Sequence, residues 1–206
     1  MGNEFGEIVF TPTVKALQEK LGSRNAYASM EAGEHHNNQL GPDESDFIAE
    51  RDSFYMASVS ETDWPYVQHR GGPAGFVKVL DSRTLGFADF RGNRQYVSVG
   101  NLMKNDRVAL FFMDYPHRTR LKLLGHAELI GTERTDVLKS LAVPGYKAKV
   151  ERGMLIHVAA FDWNCPQHIT PRFTQEQVET AIQPLRQRIA DLETQLAAAR
   201  NRQADE

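Results

Sequence analysis

The sequence predicts a mainly β protein of the α+β class, built on a small antiparallel barrel with flanking helices. Between Phe54 and Phe112, short β-prone runs are separated by turns that contain glycine or proline. The intervals between most of these runs are too short for helical crossovers, so hairpins are expected rather than parallel βαβ units. The last part of the chain differs, because its apolar residues recur with helical spacing.

Composition restricts the class of protein before any motif is considered. The chain has 206 residues, of which 41% are hydrophobic and 25% are charged, as in an ordinary globular protein. A formal net charge of −3 gives no support to non-specific nucleic-acid binding, which needs a basic surface. No apolar run approaches the length of a membrane span, and the acidic start lacks the features of a signal peptide. We therefore expect a cytoplasmic protein without nucleic-acid or membrane partners.

The order of turns and apolar positions predicts the individual elements. The expected strands are 54–60, 66–70, 76–80, 85–89, 107–113, 121–130 and 155–161, and the expected helices are 13–21, 42–51, 93–103 and 132–141. The polar segment 23–41 is expected to be an exposed loop. It contains His35 and His36, but adjacent residues do not converge on one ion in regular structure, so no metal site is predicted there.

The C-terminal part is expected to form a separate helix. We divide the chain into an N-terminal helix and polar loop (1–41), a barrel domain (42–173) and an amphipathic, coiled-coil-like helix (174–206). Thr174 and Gln177 have the spacing of a capping box. Apolar residues then follow a heptad pattern at Val178, Ile182, Leu185, Ile189, Leu192, Leu196 and Ala199. Pro184 predicts a kink or a later start.

This helix could lie along its own barrel or against another helix. A helix that covers a globular core usually has a broad apolar face. The stripe here is narrow, which favours a partner helix.

The segment FRGNRQ, at residues 90–95, has the composition of an anion site. Two arginines, Arg91 and Arg94, stand where a strand is expected to lead into a helix, and helix-start amides with guanidiniums bind phosphate. Gly92 permits close backbone approach, and Asn93 suits a helix cap. Gln95 completes the polar set. The alternative is a pair of solvated surface arginines, which is common for this residue type.

Two further polar residues extend this interpretation. Ser98 and Asn101 lie one and two turns into the expected helix, where their side chains could face the same ligand. Neither the GxxxxGK[ST] motif nor the GxGxxG motif is present, so a P-loop and a Rossmann dinucleotide site are not expected.

A second cluster lies on two of the predicted strands. Gln68 and Arg70 should share one face of their strand, with His69 on the other. Such side chains could hydrogen-bond a planar ring, or they could line a polar barrel end. Lys78 lies between apolar neighbours, so it requires either an anion or a route to water.

A third cluster occupies the proline-containing segment 161–172. Trp163, Gln167, His168 and Arg172 offer an aromatic plane, donors and a cation, which suit a stacked flavin or pyridine. His168 is a candidate general acid, although a structural histidine is the commoner role. Cys165 lacks a neighbouring base motif, so we expect a small buried residue rather than a nucleophile.

Taken together, these pieces resemble the pyridoxamine 5'-phosphate oxidase-related FMN-binding proteins. The resemblance is carried by ERDSFYMASVSE, WPYVQHRGGPAGFVKVLD, LGFADFRGNRQYVSVGNL, DRVALFFMDYPHRTRLKLLGHAEL and FDWNCPQHITPR, in that order. It covers roughly residues 42–172. It implies a split β-barrel and a homodimer that holds one FMN per subunit at the subunit interface.

The resemblance also implies roles for individual residues. The positions that match the flavin phosphate site are Arg91, Asn93, Arg94, Ser98 and Asn101. The strand that faces the isoalloxazine matches Gln68, His69 and Arg70, with Lys78 on the next strand. The C-terminal signature matches Trp163, Asn164, Gln167, His168 and Arg172, and is implied to lie near the flavin, often that of the partner.

The chain also departs from the true oxidase. That enzyme has an Arg-Lys pair inside its phosphate helix, where this chain has Val97 and Ser98, and its substrate-binding C-terminal segment is not clearly reproduced. We therefore expect an FMN-dependent oxidoreductase that acts on an unidentified small molecule, with NADH or NADPH as a candidate donor. The alternatives are authentic pyridoxamine or pyridoxine 5'-phosphate oxidase, and a non-catalytic flavin- or haem-binding stress or carrier module.

Overall fold

The computed structural model describes residues 3–28, 31, 37–163 and 166–204. The chain forms two compact units. The first comprises Met1–Asp114 with Thr119–Gln167 and contains the β-sheet, and the second comprises Tyr115–Arg118 with His168–Glu206. The predicted division at residues 41 and 173 stays a prediction.

Seven antiparallel strands form one sheet in the order β2-β1-β5-β6-β7-β4-β3. Their bounds are β1 Ser53–Val59, β2 Pro65–Gly71, β3 Val77–Asp81, β4 Thr84–Phe90, β5 Arg107–Asp114, β6 Thr119–Ile130 and β7 Val150–Trp163. The prediction of antiparallel strands with flanking helices is confirmed. The last strand is longer than expected, because it begins at Val150 and not near residue 155.

Of the described helices, six precede the strands in the chain or lie between them, and the seventh follows the last strand. Their bounds are α1 Glu4–Val9, α2 Pro12–Leu21, α3 Arg24–Ala28, α4 Pro42–Ala49, α5 Val97–Leu102, α6 Thr135–Ser140 and α7 Gln175–Ala204. Sequence reasoning missed α1 and α3. It also placed the start of α5 at residue 93 and that of α6 at residue 132, each several residues too early. None of the described helices combines the length and apolar character that a membrane crossing requires.

The expectation of an exposed loop over residues 23–41 is wrong in part. Its first residues form α3, and its last residues are held against the sheet. Asn37 exchanges hydrogen bonds with the backbone of Phe161, and the amide of Leu40 donates to Ser82. Leu40 is buried in the core, which an exposed loop would not allow. The histidine pair at 35 and 36 lies outside the described residues.

Alternation along the strands places a phenylalanine cluster at the centre of the core. Phe54 on β1 packs against Phe112 on β5 and Phe87 on β4, with ring centroids 4.9 and 5.3 Å apart, and Phe76 stacks on it at 5.9 Å. All four rings are fully buried. Such close aromatic packing stabilises the fold through apolar burial and preferred ring geometry.

The same face of the sheet becomes polar at its β2 end. In the β1–β2 register, Phe54, Met56 and Ser58 stand opposite Arg70, Gln68 and Tyr66. Because residues two apart share a strand face, the polar side chains of β2 continue the core-facing layer of β1. This register carries polar groups to the margin of the apolar core.

The C-terminal helix begins where the sequence predicts. The amide of Thr174 donates to Gln177 Oε1 at 2.9 Å, and the amide of Gln177 donates to Thr174 Oγ1 at 3.2 Å. This reciprocal pair is a capping box. The helix then runs for 30 residues, through Pro184, so the late start predicted as an alternative is wrong.

Candidate functional site

A cavity of about 220 Å³ lies beside the polar end of β2. We call it the primary cavity. Six of the residues predicted to bind a cofactor line it together, namely Gln68, Arg70, Asn93, Arg94, Gln95 and Ser98. Tyr66, Asp89, Tyr96 and Glu151 complete its polar wall.

Strand alternation accounts for one side of this cavity. Tyr66, Gln68 and Arg70 share one face of β2, as predicted for the latter two, and the Tyr66 hydroxyl donates to Gln68 Oε1 at 2.5 Å. His69 points to the other face, where its ring meets Tyr55 edge-on at 5.5 Å. The primary cavity is therefore open to an amide, a hydroxyl and a guanidinium from one strand.

The opposite side is an irregular connection rather than the start of a helix. Arg94 and Tyr96 both adopt left-handed backbone conformations, with φ of 62° and 56°. Asn93 does not cap α5, since its Oδ1 accepts from the amide of Gln95 at 3.2 Å. Tyr96 stands at the cap position and supplies no side-chain cap, and α5 has only six residues. The predicted helix start at residue 93, with Asn93 as its cap, is therefore wrong, while the anion site on this segment stays a prediction.

Ser98 is the most informative residue of the primary cavity. It is only 3% exposed, and its hydroxyl has no hydrogen-bond partner among the described residues. A buried polar atom without a partner costs about 1–3 kcal/mol, so such atoms usually have one. Since Ser98 lines the primary cavity, a ligand atom that accepts its hydrogen bond would remove this cost.

Asn101 does not share this environment. Its side-chain amide donates to Ser58 Oγ at 3.0 Å, in a buried hydrogen bond that ties α5 to β1. The described lining of the primary cavity does not include it. The expectation that Ser98 and Asn101 face one ligand is therefore not met by the structure.

Charged residues from β2, β4 and β7 form a network around the primary cavity. Asp89 Oδ1 accepts from Arg70 Nη1 at 2.6 Å, and its Oδ2 lies 3.3 Å from Arg152 Nε. Glu151 accepts from Arg91 Nε at 2.9 Å and lies 3.3 Å from Arg152 Nη2. Burial raises the pKa of Asp89, and the two guanidiniums beside it oppose that rise. The hydrogen bond from Arg91 lowers the pKa of Glu151.

The network extends to the irregular connection through Tyr96. The guanidinium of Arg152 lies 5.3 Å from the Tyr96 ring centroid, and Arg94 Nε donates to the Tyr96 hydroxyl at 3.0 Å. Among the described residues of this network, four arginines stand against two carboxylates. The resulting net charge of +2 is suited to a doubly charged anion.

A second cavity, of about 250 Å³, shares Gln68, Arg70 and Asp89 with the primary cavity. His69 and Arg91 contribute to its lining, as do the buried rings of Phe76 and Phe87. The Arg70–Asp89 ion pair thus belongs to the walls of both cavities.

The other predicted residues lie elsewhere. Lys78 is half-buried on β3, and the described lining of neither cavity includes it. Trp163 donates to Glu44 Oε1 at 2.7 Å and packs edge-on against Phe47, so it joins α4 to β7. Gln167 is exposed.

The C-terminal signature falls partly in the second unit. His168 is exposed there in a left-handed conformation, and the guanidinium of Arg172 lies 4.9 Å from the Tyr115 ring centroid. Asn164 and Cys165 lie outside the described residues. Among those described, no cluster of three or more His, Cys, Asp or Glu side chains could hold a metal ion.

Sequence reasoning missed Asp89, Glu151 and Arg152. The residues of each ion pair across β4 and β7 are about 60 positions apart in the chain, and only the register that pairs Asp89 with Arg152 brings them together. An acidic residue directly before an FRGNRQ-like segment was the one local signal available for Asp89.

A family model for pyridoxamine 5'-phosphate oxidase matches residues 41–155, which is more than half of the chain. The protein belongs to the pyridoxamine 5'-phosphate oxidase family. This membership confirms the resemblance noted in the sequence and, with the seven-stranded sheet, the split-barrel fold class. Membership of the pyridoxamine 5'-phosphate oxidase family also supports a fold related to flavin-type oxidoreductases.

Several solved structures are similar to this chain at low identity. HupZ of Group A Streptococcus is 15% identical, with 65% of this chain and 99% of that chain covered and a TM-score of 0.48. A Lactobacillus delbrueckii protein named for pyridoxamine 5'-phosphate oxidase is 18% identical, with 62% and 96% covered and a TM-score of 0.48. An F420 reductase is 19% identical, with 59% and 98% covered and a TM-score of 0.42. No curated protein matches the chain.

Proposed function

We propose that this protein binds FMN, with the flavin phosphate in the primary cavity, and acts as an oxidoreductase on a small molecule. The observation that carries the proposal is the buried hydroxyl of Ser98, which finds no hydrogen-bond partner in the part of the chain that the structure describes. Ser98 lines the primary cavity together with Arg94, which belongs to the network of net charge +2. A phosphate monoester carries about −1.5 to −2 charges at neutral pH and accepts several hydrogen bonds. Family membership supports the same cofactor.

The side chains that line the two cavities offer FMN hydrogen-bond donors as well as positive charge. Ser98 would donate to a phosphate oxygen, and Arg94 would add a charge-assisted hydrogen bond. Arg70 Nε is also buried without a hydrogen-bond partner among the described residues, at the wall shared by both cavities. Tyr66 and Gln68 offer a hydroxyl and an amide to a planar ring.

The chemistry would reside in the cofactor. FMN supplies two-electron transfer at its ring when it is bound, while the protein binds it, orients it and controls its surroundings. The described residues of the primary cavity contribute hydrogen bonds and charge to that task. A catalytic role for His168 stays a prediction.

We also propose a homodimer. Tyr55 on β1 and Val67 on β2 lie on the sheet face opposite the phenylalanine core and are 41% and 59% exposed. Phe111 on β5 pairs with Tyr55 in the register and extends this apolar face. A symmetric contact with a second copy would remove these side chains from water. That FMN lies at the subunit interface is a separate proposal, because Gln68 and Arg70 of the primary cavity point to the other face of the sheet.

The test of the phosphate site is the variant Ser98→Ala. Apo-protein is titrated with FMN and with riboflavin, and flavin fluorescence is followed. Loss of a hydrogen bond to a charged group costs about 1.5–3 kcal/mol, so FMN affinity should fall about ten- to a hundredfold. Riboflavin lacks the phosphate, so its affinity should stay nearly constant.

Two controls make this result specific. The exposed hydroxyl of Ser140 donates to Val137 on α6, and Ser140→Ala should leave both affinities unchanged. The thermal midpoint of Ser98→Ala apo-protein should equal or exceed that of the wild type, because an unpaired buried hydroxyl has been removed. Unchanged FMN affinity in folded Ser98→Ala would contradict the proposed phosphate site.

Measurements of bound cofactor and of turnover distinguish the proposed oxidoreductase from the two alternatives, authentic pyridoxamine 5'-phosphate oxidase and a non-catalytic binding module. The visible spectrum of the purified protein distinguishes flavin from haem, since haem gives a sharp Soret band. Oxidation of NADH or NADPH with a dye acceptor tests the candidate donors, and oxidation of pyridoxamine 5'-phosphate tests the activity for which the family is named. Flavin binding without turnover of any of these would favour the carrier or stress-module alternative.

A further inference from the structure

The helix α7 carries a continuous apolar stripe, which we call the heptad stripe. It consists of Val178, Ile182, Leu185, Ile189, Leu192, Leu196 and Ala199. Val178, Leu185, Ile189, Leu192 and Leu196 are between 45% and 65% exposed. Helices with an apolar residue every three and four positions bury this stripe against another helix.

The residues of the stripe can be assigned to heptad positions. Ile182, Ile189 and Leu196 take a positions, and Val178, Leu185, Leu192 and Ala199 take d positions. Pro184 then falls at an outward-facing c position. It therefore interrupts the backbone hydrogen bonding of α7 without entering the contact.

We propose that α7 pairs with α7 of a second copy as an antiparallel two-stranded coiled coil, centred between residues 190 and 191. In this alignment, Ile189 packs against Leu192 of the second copy, and Leu185 packs against Leu196. Ile182, the large residue near one end, meets Ala199, the smallest residue of the stripe. The layer at each end of the coil therefore combines one large side chain with one small side chain.

Charge decides the orientation. The positions beside the heptad stripe that face each other in an antiparallel pair are Glu179, Arg186, Glu193 and Arg200. In the proposed alignment, Glu179 meets Arg200 of the second copy and Arg186 meets Glu193. Two-fold symmetry repeats each pair, so every contact along this edge joins opposite charges.

A parallel pair of α7 helices would form fewer contacts between opposite charges. Arg186 would then face Ala181 of the second copy, and of these flanking residues Glu193 alone would meet an opposite charge, at Arg188. The antiparallel coil is therefore the arrangement that the sequence of α7 favours.

Cysteine cross-linking in the full-length chain tests this pairing. In a Cys165→Ser background, Leu185→Cys and Leu196→Cys are placed on differently tagged copies and co-expressed. The mixed pair should cross-link. Neither variant should cross-link to itself, since like positions lie about 16 Å apart along an antiparallel coil at 1.5 Å per residue.

The outcomes of this experiment are distinct. Self-cross-linking of Leu185→Cys alone would overturn the antiparallel orientation and show a parallel coil. Absence of any cross-link between α7 helices, in protein that remains folded by circular dichroism, would overturn the pairing itself.

Charge variants provide a second test that leaves the apolar stripe intact. In the mixed cysteine pair, Arg186→Glu places like charges opposite each other at two symmetric positions, and cross-linking should slow about tenfold at equal protein concentration. Adding Glu193→Arg to the same chains should restore it. The matched variant Arg188→Glu should have little effect, because Arg188 faces Gln195 in the antiparallel coil. A loss with Arg188→Glu but not with Arg186→Glu would overturn the proposed alignment.

Discussion

The ion pair between Arg70 on β2 and Asp89 on β4, at 2.6 Å, joins the first and the sixth of the seven strands in the sheet order. It belongs to the walls of both cavities, so a guanidinium that lines the proposed ligand site is held by a carboxylate from a distant strand of the sheet. Asp89 also lies 3.3 Å from Arg152, which links this pair to the rest of the charged network.

Arg94 and Arg91 should differ in their effect on FMN binding. Arg94 lines the primary cavity, whereas Arg91 is paired with Glu151 and belongs to the lining of the second cavity. Arg94→Ala should weaken FMN about ten- to a hundredfold, measured by fluorescence titration. Arg91→Ala should have a smaller effect, because it removes one of the two arginines that pair with Glu151 while Arg152 keeps its contact, and Glu151→Ala in the same chain should cancel it. Equal losses for the two single arginine variants would contradict this assignment.

Asn101→Ala should reduce stability and spare the cofactor. The substitution removes the buried hydrogen bond to Ser58 and leaves that hydroxyl unpartnered, which costs about 1–3 kcal/mol of unfolding free energy. Urea denaturation of the apo-protein measures this loss. FMN affinity of the folded variant should stay within about twofold of the wild type, since 0.4 kcal/mol is about a factor of two. The opposite result, a lower FMN affinity with an unchanged unfolding free energy, would show that Asn101 contributes to the phosphate site.

Glu151 should make stability dependent on acid pH. Hydrogen bonds from Arg91 and Arg152 lower its pKa in the folded protein, although burial opposes them. Its contribution is therefore present above the pKa of an unfolded glutamate, about 4.3, and is lost as the pH falls through the lowered folded value. Wild type should exceed Glu151→Gln in unfolding free energy near pH 6, and the difference should shrink near pH 3. A difference that does not change with pH would show that Glu151 contributes through packing alone.

Deletion of residues 174–206 should leave a dimer. The exposed apolar face around Tyr55 and Val67 belongs to the sheet and survives this truncation. Light scattering of the truncated protein measures its mass. A monomer after truncation would show that α7 provides the association, in which case the homodimer proposed through the sheet face would be wrong while the coiled coil would remain.

Features that depend on residues close together in the chain could be predicted from the amino-acid sequence. Alternation along β2 placed Gln68 and Arg70 on one face, because successive side chains of a strand point to opposite sides. The capping box of Thr174 and Gln177 formed as predicted, because its two hydrogen bonds span only three residues. The heptad pattern also predicted a C-terminal helix, and the structure shows α7.

Contacts between side chains on different strands depend on how the sheet is assembled, so they could not be predicted from neighbouring residues. Asp89 reaches Arg152 only through the β4–β7 register, and Asn101 reaches Ser58 only because α5 packs against β1. The helix that the sequence predicted at residues 93–96 is not formed in the structure. There the backbone takes left-handed turns at Arg94 and Tyr96 and α5 starts at Val97. Helix propensity is a weak preference that tertiary packing overrides, so the shape of the primary cavity followed from the assembled sheet.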